Sequence, residues 1–484
     1  MKLIIKLFPE IIIKSRSLRK NMTQRLCNNI RNTCRDIDTT ISVRNMWDRL
    51  EVNIDKANEQ QQLEIIERLC FMPGIDKVEE VTRYSFETIE DLGELVVKYN
   101  AHLIKGRTFC VRAKRTGKHS FKSYEVEQLI GGFLLRAEDD TSVDLHNPDI
   151  IVRLAIKDQQ VDLIARKHSG IGGFPLGTQG SVLSLLSGGF DSGVASYLTM
   201  KRGYCTHFCF FNLGGAAHEV GVKQVADFLW RKYSYSHRVK FVTVPFEDVV
   251  EEILTKVHHS QMGVVLKRMM LRAANQVASR MKVGALVTGE SLAQVSSQTL
   301  PNLTIIDEIA EPLVIRPLIV MDKFDIIKIA AEIGTADFAK HMPEYCGVIS
   351  DRPTSHAKKD RIETEETQFD MDVLNNAVAG SQVVKIDEVL DSVKTLHDVE
   401  VVKIPAVDDI IIDIRHAHEE EASPLHLTNN EIIKIPFFAL SRKVSELDKD
   451  KRYLLYCDRG VMSQLQASQL ADSGHDNILV YIKK

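Results

Sequence analysis

Two short stretches carry side chains whose types and spacing could do covalent chemistry. The first is Ser187-Gly188-Gly189-Phe190-Asp191-Ser192, between the apolar run SVLSLL and the helical run GVASYLTM. Adjacent glycines let a backbone turn tightly and approach a ligand, while hydroxyls and free amides at a helix start suit an anion. The Gly-Lys-Ser/Thr ending that grips a γ-phosphate is missing, so a Walker-type loop is excluded. An ordinary strand-to-helix turn capped by Asp191 or Ser192 is the plain alternative. The second stretch is Cys457-Asp458-Arg459-Gly460-Val461-Met462-Ser463, which follows the apolar RYLLY and opens a helix. A thiol there meets amide dipoles that favour the thiolate, which suits a nucleophile or a sulfur carrier. A buried structural cysteine is the bland reading. The other cysteines carry less. Cys205 and Cys209 lie two apart from His207 in a strand-like run and read as core, as do Cys27, Cys34, Cys70 and Cys110. One such pair is poor evidence for a metal, and no protein-held metal site is expected.

The elements that must position these loops follow from periodicity. From SVLSLL onward, apolar runs alternate with helical ones: GVASYLTMKRG, THFCFFNL, VKQVADFLWRKY, KFVTVPF and, later, GALVTGE. That alternation predicts a doubly wound parallel sheet. DIIIDIR, RYLLYC, VMSQLQASQLADSG and NILVYIKK restart it, giving a smaller C-terminal α/β domain. Ahead of the glycine-dense SGIGGFPLGTQG, which marks a linker, two α+β units are expected. Residues 1 to about 60 read as strand, basic helix and one strand ISVRNMWDRLEV; from 61, QQLEIIERLCFMPGI is a helix stopped at Pro73-Gly74, and GRTFCVRAKRTGKHSF is a strand running into a basic loop. Residues 351 to 400 read as polar helix and linker. The expected domains are therefore 1–60, 61–168, 175–395 and 404–484.

Composition narrows the class. The 484 residues are 44% hydrophobic and 26% charged, the balance of a soluble globular protein of several domains. Net charge is only −4, so contact with nucleic acid needs a local basic surface. The first fifty residues supply one, with Lys2, Lys6, Lys14, Arg16, Arg19, Lys20, Arg25, Arg31, Arg35, Arg44 and Arg49 against Glu10, Asp36, Asp38 and Asp48. A merely solvated face is the competing reading. Arg112, Lys114, Arg115 and Lys118, interleaved with Phe109 and Phe121, make a second basic cluster. The apolar start MKLIIKLFPEIII is broken by Lys6, Pro9, Glu10 and Lys14, and no run approaches the ~20 apolar residues of a membrane span, so no membrane association and a cytoplasmic location are expected. Eight irregularly spaced cysteines do not make a disulfide framework.

On these residues, SGGFDS resembles the PP-loop of the ATP pyrophosphatases, which cleave ATP to AMP and pyrophosphate and adenylate an oxygen. The Cys457 loop resembles that of rhodanese sulfurtransferases, whose cysteine carries a persulfide. Cysteine phosphatases use a related design but place an arginine where Ser463 stands. Asp413-Ile414-Arg415 resembles a strand-end feature of the rhodanese fold, and VRAKRTGKHSFKS with VDLHNPDIIV resembles a THUMP RNA-binding domain. Together with TGESLAQVSSQTLPNL, RPLIVMDKFDII and HMPEYCG, the whole chain resembles the tRNA 4-thiouridine synthetase family. The fold so implied is α/β multidomain: N-terminal α+β RNA-binding modules, the first ferredoxin-like; a parallel-sheet PP-loop domain; and a rhodanese-like tail.

The resemblance also implies roles. Leu185, Leu186, Ser187, Gly188, Gly189, Ser192, Lys267, Gly289 and Gln298 would contact ATP. Asp191 would help hold a Mg2+-bound pyrophosphate, and Lys323 would sit near the reacting phosphates. Arg112, Lys114, Arg115 and Lys118 would meet RNA, and Cys346 would partner Cys457. ATP and Mg2+ are then the cofactors. The partners are tRNA, a cysteine desulfurase that donates the persulfide and a thiazole-pathway sulfur carrier protein. The reaction is thiolation of the tRNA uridine at position eight, with a second role in the thiazole of thiamine. Three other readings stand beside it. An amidotransferase-like PP-loop synthetase would need a glutaminase nucleophile, and none is evident; an iron–sulfur thiolase would want paired CxxC motifs, which are missing. A non-catalytic RNA-binding or sulfur-relay scaffold would not need an intact SGGFDS.

Overall fold

The computed structural model describes all residues except 214–215, 341–351, 392–398, 416–419, 421–423, 436–439, 441–442, 458–460, 473 and 484. The chain divides into two compact units, Met1–Thr178 and Gln179–Lys484.

In the first unit, β1 (Lys2–Leu7), β2 (Ser42–Met46), β3 (Arg49–Asn53), β4 (Ile75–Ser85), β5 (Thr108–Thr116), β6 (Ser142–Val143), β7 (Ile150–Lys157) and β8 (Gln160–Gly172) form one sheet in the order β2-β3-β1-β4-β8-β7-β5-β6. Strand alternation sends Leu3, Ile5 and Leu7 inward, against Leu26, Cys27 and Ile30 of the basic helix Arg16–Cys34. The helix Glu59–Cys70 starts on an Asn58–Gln61 capping box and ends at the C-cap Phe71, ahead of the turn in which Gly74 takes a positive φ of 104°. It joins the same core, which closes with Ile75 and Val78 in β4. A second core, from Phe86 to Leu163, packs the helices Ile89–Ile104 and Ser123–Ala137 on β5, β7 and β8. Three sequence expectations are corrected here. The single strand over 41–52 is a hairpin, because the chain reverses at Trp47 (φ 51°). The two α+β units share one sheet through β4 and β8, which pair antiparallel over their whole length. The glycine-dense stretch begins as the end of β8, where Gly170 runs so close to the Ile75 carbonyl that a Cβ would lie 2.2 Å from its oxygen.

The second unit has two sheets. In the larger one, β9 (Ser181–Leu185), β10 (Cys205–Asn212), β11 (Lys240–Pro245), β12 (Ala285–Val287), β13 (Leu313–Ile315) and β14 (Gln382–Lys385) lie in the order β13-β12-β9-β10-β11-β14. The first five are mutually parallel, as the alternation predicts. β14 is an antiparallel edge strand on β11, which the polar composition of 351–400 conceals. The chain winds from β9 through β10 to β11 and then returns to the other side with β12 and β13. The carboxyl ends of β9 and β12 therefore flank a topological switch point, where open α/β sheets bind ligands. The smaller sheet, β15 (Val401–Val402), β16 (Ile410–Asp413), β17 (Ile432–Lys434), β18 (Tyr453–Tyr456) and β19 (Ile478–Tyr481), is fully parallel in the order β15-β19-β18-β16-β17.

Candidate functional site

The SGGFDS loop leaves β9 at the switch point and enters the helix Phe190–Lys201, with Gly189 as N-cap. Gly188 has φ 82°, a conformation glycine adopts without penalty. The loop is tied off by its own hydroxyls: Ser192 Oγ lies 3.0 Å from Ser187 Oγ, accepts the Ser187 N–H at 3.1 Å and donates to the Gly189 carbonyl at 3.3 Å. His218, on the helix Ala216–Leu229, donates Nε2–H to the Ser187 carbonyl at 2.8 Å. Burial pushes that ring down to about 4, so it is neutral at pH 7.

Asp191 occupies the first turn of the helix and points to the next crossover. Lys323 Nζ donates to its Oδ1 and Oδ2 at 2.8 and 2.9 Å, and Gln294 Nε2 donates to Oδ2 at 2.9 Å. Gly289, just past β12, packs so tightly on this turn that a Cβ would come 2.6 Å from the Asp191 carbonyl carbon. Beside it the Glu290 carboxylate receives Lys267 Nζ at 2.6 Å, Arg316 Nε at 2.8 Å and the Thr288 hydroxyl at 3.0 Å. Burial alone would raise the Glu290 carboxyl, but Lys267 and Arg316 outweigh it and hold it at about 2. Gln298 accepts the Ser291 N–H at 3.2 Å and so fixes the turn of this loop. Leu186 is buried and donates its N–H to Cys209, while Leu185 ends β9. The structure thus gathers Leu185, Leu186, Ser187, Gly188, Gly189, Asp191, Ser192, Lys267, Gly289, Gln298 and Lys323 around one end of one sheet. Among the described residues no cluster of three or more His, Cys, Asp or Glu could hold a metal alone. A single carboxylate beside an anion cradle fits a magnesium ion that arrives on nucleotide phosphates.

The second loop sits at the carboxyl end of β18. Cys457, 9% exposed, accepts the Ser463 N–H at 3.4 Å and lies 3.5 Å from the Ser463 hydroxyl. Its neighbours 458–460 fall outside the described residues. At the end of adjacent β16, Arg415 folds back on Asp413 through Nε (2.9 Å) and Nη2 (2.7 Å) and places its guanidinium 4.9 Å from the Tyr456 ring centroid. Both partners are buried, so this pair holds the strand ends in place. The helix Val461–Asp472, which begins beyond the Cys457 loop, lies against the helix Ala216–Leu229 that carries His218. Cys346 and the rest of HMPEYCG lie outside the described residues. Among the other thiols, burial pushes Cys209 and Cys34 up to about 12 and Cys70 to about 11, which makes them poor nucleophiles.

In the first unit, Arg112 and Lys114 alternate along the exposed face of β5, and Arg112 donates to the Leu145 carbonyl at 2.8 Å. Arg115 is half-buried on the opposite face, while Lys118 is exposed in the loop that follows.

Comparison with known proteins bears on all of this. The Thiamine biosynthesis protein (ThiI) family matches residues 177–371, its ferredoxin-like domain 2–78, the THUMP domain 86–164 and the Rhodanese-like domain 397–483. A tRNA sulfurtransferase of Azotobacter vinelandii is 51% identical over 481 residues, covering 99% of each chain, and one of Shewanella amazonensis is 50% identical over 482 residues, covering 99% of this chain and 100% of that one. The chain belongs to the tRNA sulfurtransferase family. A solved 4-thiouridine synthetase, crystallised with RNA and bound ATP, superposes with a TM-score of 0.68 at 27% identity, over 79% of this chain and 99% of that one. Two residues of this family member stand in the site without having been singled out from the sequence. Glu290 and Gln294 both lie in the stretch TGESLAQ, but their partners Arg316, Lys267 and Asp191 are far away in the chain.

Proposed function

We propose that this enzyme converts the uridine at position eight of tRNA to 4-thiouridine, through adenylation of the base and sulfur transfer from a persulfide on Cys457. The observation that carries the reading is the Lys323–Asp191–Gln294 cluster on the SGGFDS loop, a charged group poised where a nucleotide's phosphates would enter. The family relation and the RNA- and ATP-bound relative support the substrates.

The uridine O4 is a poor leaving group; once adenylated it departs as AMP. In the mechanism that follows, Lys323 and the loop amides meet the phosphates, Asp191 would hold a magnesium ion, and Lys267, held by Glu290, lines the nucleotide side. Bound there, magnesium would supply charge neutralisation for the pyrophosphate. A cysteine desulfurase loads sulfur onto Cys457. The terminal sulfur attacks C4 and AMP leaves; the Cys346 thiolate then attacks Cys457 Sγ, releasing the thiolated base and leaving a Cys346–Cys457 disulfide that cellular reductant reopens. The lie of the helix Val461–Asp472 on the helix that supports Ser187 is in keeping with a sulfur-carrying tail that works beside the adenylation loop. Residues 1–60, 61–168, 175–395 and 404–484 are proposed as the functional divisions, with Arg112, Lys114, Arg115 and Lys118 on tRNA phosphates. A cytoplasmic location and sulfur delivery to a carrier protein of the thiamine thiazole pathway complete the reading; among the described residues no helix is long and apolar enough to cross a membrane.

The test is single turnover with tRNA, ATP and persulfide-loaded enzyme, without reductant. Pyrophosphate release, 4-thiouridine in the digested tRNA and a Cys346–Cys457 peptide are expected. Thiolated tRNA without that peptide would remove Cys346 from the scheme, and no tRNA-dependent pyrophosphate would remove the adenylation itself.

A further inference from the structure

Trp47 stands at the tip of the β2–β3 hairpin in a conformation that its side chain does not favour. Its φ of 51° lies in the left-handed region, where glycine, asparagine or aspartate would ordinarily be found. Its indole is nevertheless 62% exposed, and the turn is closed by the Asp48 N–H on the Met46 carbonyl. An exposed tryptophan in a strained turn contributes little to a core, and such outliers point to function.

The ring is held still. The Arg19 guanidinium stacks on it with Cζ 3.6 Å from the centroid, and Arg16 lies 5.9 Å away. Arg19 is 9% exposed, donates Nη1 to the Ile12 carbonyl at 3.1 Å and keeps its buried Nη2 without a hydrogen-bond acceptor. This cation is therefore committed to the indole face. The hairpin is also pinned to the helix beneath by Asn45 Nδ2 on Thr23 Oγ1 at 3.0 Å and by Arg31 Nη2 on the Val43 carbonyl at 2.7 Å. Arg16 beside the ring is exposed, as are Lys20 on the same helix and Arg44 on β2, and no carboxylate occurs between residues 11 and 35. The nearest acid, Asp48, lies 3.9 Å from Arg49.

We infer that Trp47 is a stacking platform for an unpaired base of the RNA substrate, with Arg16, Lys20 and Arg44 on the flanking phosphates. A rigid aromatic face within a field of cations matches a flexible polyanion that has π faces to offer. The bases of a duplex are already stacked, so the platform selects single-stranded segments. This rests on the reading of tRNA as the substrate and adds a contact point distinct from the β5 basic face.

The test uses the full-length chain and two variants. Trp47→Asn suits the left-handed turn and removes the ring; it keeps or raises the melting temperature and weakens tRNA binding on the order of tenfold. Trp47→Tyr retains a stacking face and stays within about threefold of the parent. The protein has two tryptophans, and Trp230 is only 6% exposed with its Nε1–H on the His237 carbonyl, so tryptophan fluorescence reports mainly on Trp47. A single-stranded oligoribonucleotide quenches that emission, a blunt duplex of equal length leaves it unchanged, and Trp47→Tyr abolishes the response. Equal quenching by duplex, or tRNA affinity of Trp47→Asn within twofold of the parent, overturns the inference. Should the parent protein itself fail to bind tRNA, the substrate reading falls instead.

Discussion

Two lysine–carboxylate pairs stand side by side at the switch point, and they differ in what surrounds them. Glu290 is buried and its two side-chain cations, Lys267 and Arg316, come from separate crossovers. Asp191 keeps 23% of its side chain exposed and its partner Lys323 keeps 37%. A buried carboxylate between two cations cannot lose one partner cheaply, because the remaining charge is stranded in a low dielectric. An open pair is worth about 0–1 kcal/mol and can exchange its partner for a ligand at small cost. The molecule thus keeps a fixed ion cluster beside an exchangeable one, and the exchangeable one is the pair proposed to meet the phosphates.

The contrast breaks most sharply under neutralising substitutions. Asp191→Asn should cut tRNA-dependent pyrophosphate release by a hundredfold or more while leaving thermal stability and persulfide loading on Cys457 nearly unchanged. Release within tenfold of the parent would move the pair out of the reacting site. Glu290→Gln should do the reverse in stability. It removes the carboxylate that Lys267 and Arg316 share, leaving Arg316 paired with Asp307, and should cost about 3 kcal/mol, a drop of several degrees in melting temperature. A melting temperature unchanged by Glu290→Gln would show that the cluster is not scaffold.

Titration separates the pairs more gently. The Glu290 carboxyl is held below its usual 4.5, at about 2, so its stabilisation is complete above pH 4.5 and is lost as pH falls from there towards 2. His207 and His218 are held down at about 4 from 6.5, so they leave stability untouched above pH 6.5, and the unfolded chain's tighter proton binding lowers it as pH falls from 6.5 to 4. Melting curves should therefore fall in two limbs, and Glu290→Gln should flatten only the lower one. The smallest effect is that of salt. Raising ionic strength should shift the melting temperature of Lys323→Gln and of the parent alike to within about 1 °C, because an exposed pair is screened in any case.

The sequence made the loops legible and the networks illegible, for a physical reason. SGGFDS and the Cys457 loop are local: their glycines, hydroxyls and thiol act through backbone within six or seven residues, so spacing alone exposes them. Glu290 and Gln294 acquire meaning only from Arg316, Lys267 and Asp191, which the winding of the sheet brings in from elsewhere. The parallel order of β9 to β13 followed from alternation, whereas β14 hid among polar residues because an edge strand needs only a half-buried face. The reversal at Trp47 was invisible because none of the usual turn residues marks it.

The strand β4 belongs to two cores at once: Ile75 and Val78 pack in the first, and Tyr84 against the second. Its ladder with β8 runs from Ile75–Gly172 to Ser85–Gln160. Cutting the gene on either side of this strand would bare a long row of unpaired amides and carbonyls, an invitation to edge-to-edge aggregation. Residues 1–178 should therefore express and unfold as one piece, the two cores parting only when the β4–β8 ladder does.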